Sequence, residues 1–308
     1  MNKKRTASGE PPAAGFHPAA VHPEGGRTPE SRHAAGSRRS GKELALDGKI
    51  LEKIKSLRLS GEAEKLAEKF LRDEEVQAMQ EYANSVSIVR LKYNDHGPVH
   101  MRTVAYNAII MMDLIRKAGV KTSLESEESG GFEDSLGAVL SGALLHDLGM
   151  AIGRQDHELH SAYLAYPILD RIIREVYGMN YQKIAVIRSL ALEAISGHMG
   201  NRSIYSLEAG IVQIADGCDM KKGRARIPLA LAGSPRMGDI HQYSANSIEE
   251  LTIEQGAEKP ISIRVDMSSE VGLFQVEEVL LNKIAAGTAK SYVELYAVLN
   301  GGKPKRYL

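Results

Sequence analysis

The stretch LGAVLSGALLHDLGM, residues 136–150, constrains the fold of this chain more than any other. It is apolar at most positions up to Leu145 and long enough for a helix, which predicts a helix buried in a core. His146 and Asp147 follow at its end, directly before Leu148-Gly149. Polar and charged groups are costly to bury without partners, so we expect a polar site at this end of the helix.

The segments on either side of this stretch also have helical periodicity. From Glu43 onward, apolar residues recur every three to four positions and predict two leading helices. Another helix is expected to begin at Pro98, which suits a first helical position, and to end at Gly119. The polar, acidic segment 123–133 is predicted to be a loop. Further helices are predicted at His157–Tyr177, Tyr181–Ser196 and Glu208–Met220.

The pattern changes beyond Gln242, where apolar and polar residues begin to alternate as they do in strands. The fold class that we predict is therefore mainly α, with a helical bundle at residues 43–240 followed by a small α+β C-terminal domain at residues 245–308. Loops rich in Pro and Gly between Ile227 and Gly238 are expected to join the two. The elements predicted for the C-terminal domain are strands at Ile248–Ile253, Ile261–Val265 and Tyr292–Leu299 and a helix at Val271–Ala285.

The first 42 residues differ in composition from the rest of the chain. Basic residues outnumber acidic ones there by eight to three, and the segment holds five of the 11 prolines but almost no branched aliphatic residues. Such a segment cannot bury enough apolar surface to offset the entropy of ordering. A disordered, basic N-terminal tail is therefore predicted at residues 1–42.

The overall composition excludes several classes of protein. The 39 basic and 39 acidic residues balance, so the chain lacks the broad positive charge of proteins that coat nucleic acid. A single cysteine, Cys218, cannot form a disulfide within the chain. The sequence has no run of about 20 apolar residues, which a helix would need to span a bilayer. We expect a cytoplasmic protein that has neither nucleic acid nor a membrane as partner.

Histidine and aspartate residues recur along the predicted helices. A lone histidine on an apolar helix is more often a hydrogen-bonded core or surface residue than a ligand, so it is the arrangement that carries weight. Imidazole and carboxylate together suit divalent metals such as Mn, Fe, Zn or Co, and the helices of a bundle are rigid carriers for them. The residues concerned are His100, His146, Asp147, His157, His160, His198 and Asp216.

The order of His100, then Leu144-Leu145-His146-Asp147-Leu148-Gly149, then Asp216 resembles the H…HD…D signature of the HD-domain metal-dependent phosphohydrolases. The resemblance covers about residues 95–225. It implies a helical bundle with a divalent metal held by His100, His146, Asp147 and Asp216. It also implies that metal-activated water cleaves a phosphate ester, of a nucleotide or another small phosphorylated compound, with His146 and Asp147 as the catalytic pair.

Two further histidines resemble additional ligands of the two-metal members of this family. His157 has small residues four and five positions later, and His198 ends a predicted helix. His160 is an alternative to His157, and His198 is followed by Met199 where two-metal members often have a second histidine. The resemblance therefore implies one or two ions of Mn, Fe, Co, Zn or Mg, with Asp147 between them where two bind.

Nearby cations are candidates for binding the substrate phosphate. Lys222 and Arg224 follow Asp216 by one to three helical turns, and Arg154 follows the His146-Asp147 pair. Cations at a helix C-terminus also favour the helix dipole, which is an alternative role for the first two. His96 is a further candidate on the substrate side. Asp219 could support a ligand or face solvent.

Two other functions fit the same residues. Some His-rich members of the superfamily, the inositol-oxygenase branch, use a di-iron form of this helical site to activate oxygen. A non-catalytic, nucleotide-binding regulatory module is the other alternative, with the C-terminal domain as its interaction part. Exposed strand edges of that domain can pair between chains, so a homodimer through the C-terminal domain is also expected.

Overall fold

Nine α-helices form the first described part of the chain, residues 39–220, in a computed structural model that also describes residues 244–308. A π-helical turn at Val86–Arg90 follows the third helix, and a 3-10 turn at Leu148–Ala151 follows the sixth. These helices confirm the mainly α fold. They are α1 (Gly41–Ser56), α2 (Glu62–Arg72), α3 (Glu74–Ser85), α4 (Pro98–Lys117), α5 (Ser123–Ser126), α6 (Phe132–Leu145), α7 (His157–Tyr177), α8 (Tyr181–Gly197) and α9 (Leu207–Gly217).

Capping residues explain where several helices begin. The Ser40 hydroxyl accepts the Glu43 backbone N–H while the Glu43 carboxylate turns back to Ser40, so α1 begins two residues before the change in composition at Glu43. Pro98 occupies the first turn of α4, as its fixed φ angle favours. The acidic segment 123–133 is not wholly a loop, because Thr122 and Glu125 cap the single turn α5.

Helix α6 lies at the centre of the bundle. Every residue of α6 except Glu133 is buried, which confirms the prediction from the apolar stretch. The Glu133 carboxylate has a separate role, because it accepts the backbone N–H groups of Ser60, Gly61 and Ala63. Gly61 has no side chain to cap α2, so α6 supplies the cap instead. The central helix is thereby joined to the start of a peripheral one.

The C-terminal residues form a four-stranded sheet with strand order β1-β2-β3-β4. Strands β1 and β2 are antiparallel, β2 and β3 are parallel, and β3 and β4 are antiparallel. The parallel pair requires a crossover connection, which the chain provides between β2 and β3. The strands are β1 (Ile248–Gln255), β2 (Ile261–Met267), β3 (Val293–Leu299) and β4 (Lys305–Arg306).

The crossover differs from the single helix expected at Val271–Ala285. It has a 3-10 turn at Glu270–Gly272, a π-helical segment at Gln275–Leu280, and the short helix α10 at Leu281–Ala286, before a last 3-10 turn at Lys290–Tyr292. The π segment interrupts the expected helix, and α10 after it packs against α9. Buried residues of the helices and of the sheet form one continuous hydrophobic core. Within the described residues, no helix has both the length and the apolar character needed to cross a membrane.

Candidate metal centre

Six side chains converge where five helices begin or end. His100 is in the first turn of α4, His146 and Asp147 directly follow α6, and His157 is the first residue of α7. His198 directly follows α8, and Asp216 is in the last turn of α9. The structure thus brings together all six residues proposed from the sequence as metal ligands. Five of them are at most 1% exposed as whole residues: His100, His146, Asp147, His157 and His198.

One set of donor atoms, which we name the first pocket, consists of His100, His146, Asp216 and the Oδ2 atom of Asp147. Asp147 Oδ2 lies 3.2 Å from His100 Nε2 and 3.3 Å from His146 Nε2. Asp216 Oδ1 lies 3.2 Å from His100 Nε2 and 3.6 Å from His146 Nε2. Two imidazoles and two carboxylates therefore face one small volume.

The other set, the second pocket, consists of His157, His198 and the Oδ1 atom of Asp147. Asp147 Oδ1 lies 3.3 Å from His157 Nε2 and 3.5 Å from His198 Nε2. The two Nε2 atoms are 3.1 Å apart. The two oxygens of Asp147 are therefore divided between the pockets, which makes this carboxylate the element they share.

Hydrogen bonds to the backbone determine which ring nitrogen faces the pockets. The Nδ1 atoms of His146, His157 and His198 lie 2.9, 3.0 and 2.7 Å from the carbonyl oxygens of Ala143, Arg154 and Ile195. A carbonyl oxygen only accepts, so each Nδ1 carries a hydrogen, and in the neutral ring Nε2 has a free lone pair. Metal-binding histidines are commonly oriented in this way.

His100 is oriented by a side chain instead. Its Nδ1 atom lies 2.7 Å from Asp219 Oδ2, and both residues are buried. Asp219 therefore supports a proposed ligand and does not face solvent, which decides between the two roles considered from the sequence. A carboxylate that accepts from a ligating imidazole fixes the ring and increases its basicity.

The donor atoms fit a divalent cation. Ligand atoms that share one ion lie about 2.8–3.6 Å apart, because each is about 2.0–2.2 Å from it at angles of about 90–110°. The spacings of both pockets match that range. In addition, Asp147 Oδ2 is buried and accepts no hydrogen bond from the described residues. In the second pocket, two lone pairs face each other at 3.1 Å, an arrangement that a cation between them stabilises.

The carboxylates and imidazoles shift one another's pKa values. Burial disfavours a charge on His146, but Asp147 and Asp216 outweigh it and raise the pKa of His146 to about 9. Burial and the neighbouring His146 and His157 lower the pKa of His198 to about 4. Burial alone would raise the pKa of Asp147, yet the charges of His146 and His96 hold it well below its ordinary value. The charged and neutral groups of the two pockets therefore shift one another's protonation equilibria strongly.

A close backbone contact joins the turn that follows α6 to the start of α7. The Gly149 N–H donates to Ser161 Oγ at 2.7 Å. A Cβ atom at Gly149 would lie 2.0 Å from the His157 carbonyl oxygen, too close for any other residue. The glycine of the Leu148-Gly149 pair thus allows the start of α7 to lie against the turn that holds Asp147.

The residues proposed to bind the substrate fall into two groups. Arg154 and His96 are half-buried beside the pockets: Arg154 Nη1 is 3.4 Å from His157 Nε2, and the His96 and His100 rings are 5.9 Å apart. The Arg154 guanidinium also lies 5.7 Å from the centre of the Tyr93 ring. Lys222 and Arg224, which were proposed for the same role, lie outside the described residues.

Two further residues complete the comparison with the sequence. His160, the alternative to His157, belongs to none of the His and Asp groups that could hold a metal among the described residues. Lys283 of α10 was not singled out from the sequence, yet it contacts the Asp216 carboxylate. The sequence offered one signal for Lys283: apart from this lysine and Asn282, every residue from Leu280 to Ala286 is apolar.

Comparison with known proteins agrees with the geometry. The family model of the HD domain matches residues 99–221. This range contains all of α6, α7, α8 and α9 and all but the first residue of α4, the five helices that carry the site. The chain is 40% identical over 246 residues to the "Uncharacterized protein MJ1020" of Methanocaldococcus jannaschii, a match that covers 80% of this chain and 93% of the relative. No solved structure shows a significant match. The chain therefore belongs to the HD-domain family, whose members bind divalent metals and are mostly metal-dependent phosphohydrolases.

Proposed function

We propose that the protein is a phosphohydrolase that holds two divalent metal ions and cleaves a phosphate ester of a small phosphorylated compound. The observation that carries the proposal is the position of Asp147, whose two oxygens face separate sets of imidazoles. Two-metal sites that act on phosphate esters require two cations about 3.5–4 Å apart, and a shared carboxylate supplies that spacing. Manganese is our first choice, and a nucleotide is our first choice of substrate.

The proposed ligands are those of the two pockets. His100, His146 and Asp216 would hold one ion, His157 and His198 the other, and Asp147 both. Bound divalent metal supplies a water of lowered pKa and neutralises charge on the phosphoryl oxygens. The buried ligands exclude bulk water from one side of the site, which strengthens every charge interaction inside it.

The remaining site residues are proposed to bind and orient the substrate. The Arg154 guanidinium lies beside the second pocket, where it can donate to a phosphoryl oxygen in the planar geometry that suits phosphate. His96 lies beside His100 on the side of the first pocket and can donate there. Lys222 and Arg224 remain candidates for the same role from their place in the sequence.

The test begins with full-length protein purified without added metal or chelator. Elemental analysis is expected to find about two Mn, Fe or Co per chain. The protein is then assayed on p-nitrophenyl phosphate, bis-p-nitrophenyl phosphate and a panel of nucleotides with added Mn or Co. Hydrolysis that is lost after chelation and restored by metal supports the proposal. Metal-loaded protein that turns over no phosphate ester in this panel would contradict it.

A second candidate function is oxygen activation by iron. The second pocket presents two imidazoles and one carboxylate oxygen, the ligand set of many non-haem iron oxygenases. This candidate predicts iron as the metal present after purification and consumption of dissolved oxygen with an organic substrate. Hydrolysis with manganese and no oxygen uptake with iron would decide against it.

A further inference from the structure

Lys283 is a buried lysine that reaches the metal centre from the C-terminal part of the chain. The residue is 8% exposed, and its ammonium contacts Asp216 Oδ2 in a short ion pair. The same ammonium donates to the His198 carbonyl oxygen at 2.8 Å. Lysine is rarely buried without a partner, so these contacts account for its position.

The two contacts of Lys283 belong to different pockets. Asp216 supplies a carboxylate to the first pocket through Oδ1, and its Oδ2 atom faces Lys283. His198 supplies Nε2 to the second pocket, and its backbone carbonyl faces Lys283. A single ammonium thus fixes the rotation of one proposed ligand and the backbone of another.

Small residues and a hydrogen bond allow α10 to pack closely against α9. Gly217 follows Asp216, and a Cβ atom there would lie 3.2 Å from Lys283 Cδ and 3.1 Å from Leu280 Cδ1. The Thr288 hydroxyl donates to the Ser206 carbonyl oxygen at 2.6 Å, which joins the segment after α10 to the start of α9. The contacts of Leu280 and Thr288 therefore help to dock the C-terminal segment without Lys283.

We propose that Lys283 is a positioning residue of the metal centre, through which the C-terminal α+β part holds Asp216 and His198 in place for metal binding. This inference rests on the proposed metal site. It assigns the C-terminal part a role in the centre itself. Partners that support metal ligands typically change metal affinity about 10- to 100-fold when they are removed.

Charge and position make opposite predictions for Lys283. Removing a positive charge beside a pocket strengthens cation binding through electrostatics alone. Removing the group that orients Asp216 weakens it. A loss of metal affinity on substitution of Lys283 by an apolar residue therefore identifies positioning as the dominant effect.

The test compares wild-type protein with the full-length variants Lys283→Met, Lys283→Arg and Lys259→Met. Methionine keeps the length of the side chain without its charge, whereas arginine keeps the charge and the donors. Lys259 is the matched control, because its ammonium also donates to a backbone carbonyl, that of Val293 at 2.8 Å, within the C-terminal part. Binding of Mn²⁺ is measured by titration, and the visible absorption of bound Co²⁺ reports the geometry of the ligands.

Lys283→Met is expected to bind the tighter metal about 10-fold more weakly or worse and to alter the Co²⁺ spectrum. Lys283→Arg is expected to recover most of the affinity, and Lys259→Met to match wild type. Unchanged or tighter binding by Lys283→Met would overturn the inference, and so would equal losses in Lys283→Met and Lys259→Met. Wild-type protein that binds no Mn²⁺ or Co²⁺ would overturn the proposed function and the inference together, whereas the other outcomes leave the proposed function intact.

Discussion

The two pockets share Asp147 but differ in charge. The first pocket has carboxylate oxygens from two residues, Asp147 and Asp216, and the pKa of its His146 is raised to about 9. The second has a carboxylate oxygen from Asp147 alone, and the pKa of His198 is lowered to about 4. More negative charge means stronger attraction for a divalent cation.

We expect this difference to separate two tasks within the proposed site. We expect the first pocket to bind its ion more tightly and to retain it through purification. The second pocket has one carboxylate oxygen fewer, so we expect its ion to exchange more readily. The Arg154 guanidinium lies beside it, so we also expect the substrate to bind on that side. Substitutions of the pocket residues and of their neighbours test that division.

Asp147→Asn is expected to have the largest effect, because it changes the one carboxylate that both pockets use. A neutral amide supplies a weaker ligand atom to one pocket and none to the other. Metal content is expected to fall from about two ions per chain toward none, and hydrolysis to fall on the order of 10⁴-fold. Elemental analysis and phosphatase assays measure the two effects.

Asp113→Asn is the control for Asp147→Asn. Asp113 is also a buried aspartate, but it accepts from Lys53 at 2.6 Å and Lys117 at 2.9 Å and is not part of either pocket. This variant is expected to lose stability and to keep its metal. Full metal content and activity in Asp147→Asn would mean that the centre lies elsewhere.

Asp216→Asn and His198→Gln are expected to separate the pockets. Asp216→Asn removes a carboxylate from the first pocket only, and His198→Gln removes an imidazole from the second only. Each variant is expected to retain about one ion per chain, and the ion retained by His198→Gln is expected to bind more tightly. Titration of the metal-free variants with Mn²⁺ compares the two affinities. Equal affinities would remove the proposed difference between the pockets.

Arg154→Met is expected to affect substrate and leave metal unchanged. A hydrogen bond to a charged group contributes about 1.5–3 kcal/mol, so its loss is expected to raise KM about 10- to 100-fold. Metal content is expected to match wild type. Arg188→Met is the control, because its guanidinium lies 4.9 Å from the centre of the Tyr166 ring, an arrangement like that of Arg154 and Tyr93. Loss of metal in Arg154→Met would place this side chain in the structure of the second pocket instead.

Glu133→Gln is expected to have the smallest effect and to leave both pockets loaded. Loss of the cap on α2 is expected to lower the free energy of unfolding at pH 7 by about 1 kcal/mol. Burial raises the pKa of Glu133, but the hydrogen bonds from Ser60, Gly61 and Ala63 outweigh burial and lower this pKa below its ordinary 4.5. Its contribution is therefore present above that pH and is lost as pH falls through the lowered pKa.

Chemical unfolding of wild type and Glu133→Gln over a range of acid pH measures this contribution. The difference between the two proteins is expected to shrink as pH falls. Loss of metal from one pocket in this variant would show that general loosening of the bundle can mimic the difference between the pockets. The difference in metal affinity between the two pockets would then have a cause other than the ligands of each pocket.

Much of the candidate site could be predicted because the adjacent His146 and Asp147, together with His100 and Asp216, follow the order of a known family signature. The His146-Asp147 pair and Asp216 end apolar helices, where a polar residue is conspicuous. The choice between His157 and His160 could not be made from periodicity, because three residues are less than one helical turn. The folded chain distinguishes them, because His157 Nε2 lies 3.3 Å from Asp147 Oδ1 whereas His160 belongs to no metal-binding group among the described residues.

The C-terminal part was less predictable for a related reason. Its strands follow from alternation along the sequence, but the break in the crossover at Gln275–Leu280 has no simple sequence pattern. Lys283 follows that break and contacts Asp216, 67 residues earlier in the chain. Local patterns specify elements well, and the meeting of distant elements depends on packing across the whole core.

The hydrogen bonds at Nδ1 bear on the order in which the centre can form. Three imidazoles, those of His146, His157 and His198, are oriented by carbonyl groups only three residues earlier in the chain. These rings can take their final tautomer as soon as their own helix ends form. His100 relies on Asp219, 119 residues later. We therefore expect His100, the ring nearest the N-terminus, to be the last of the four rings to be set during folding, when the residues that follow α9 dock against the start of α4.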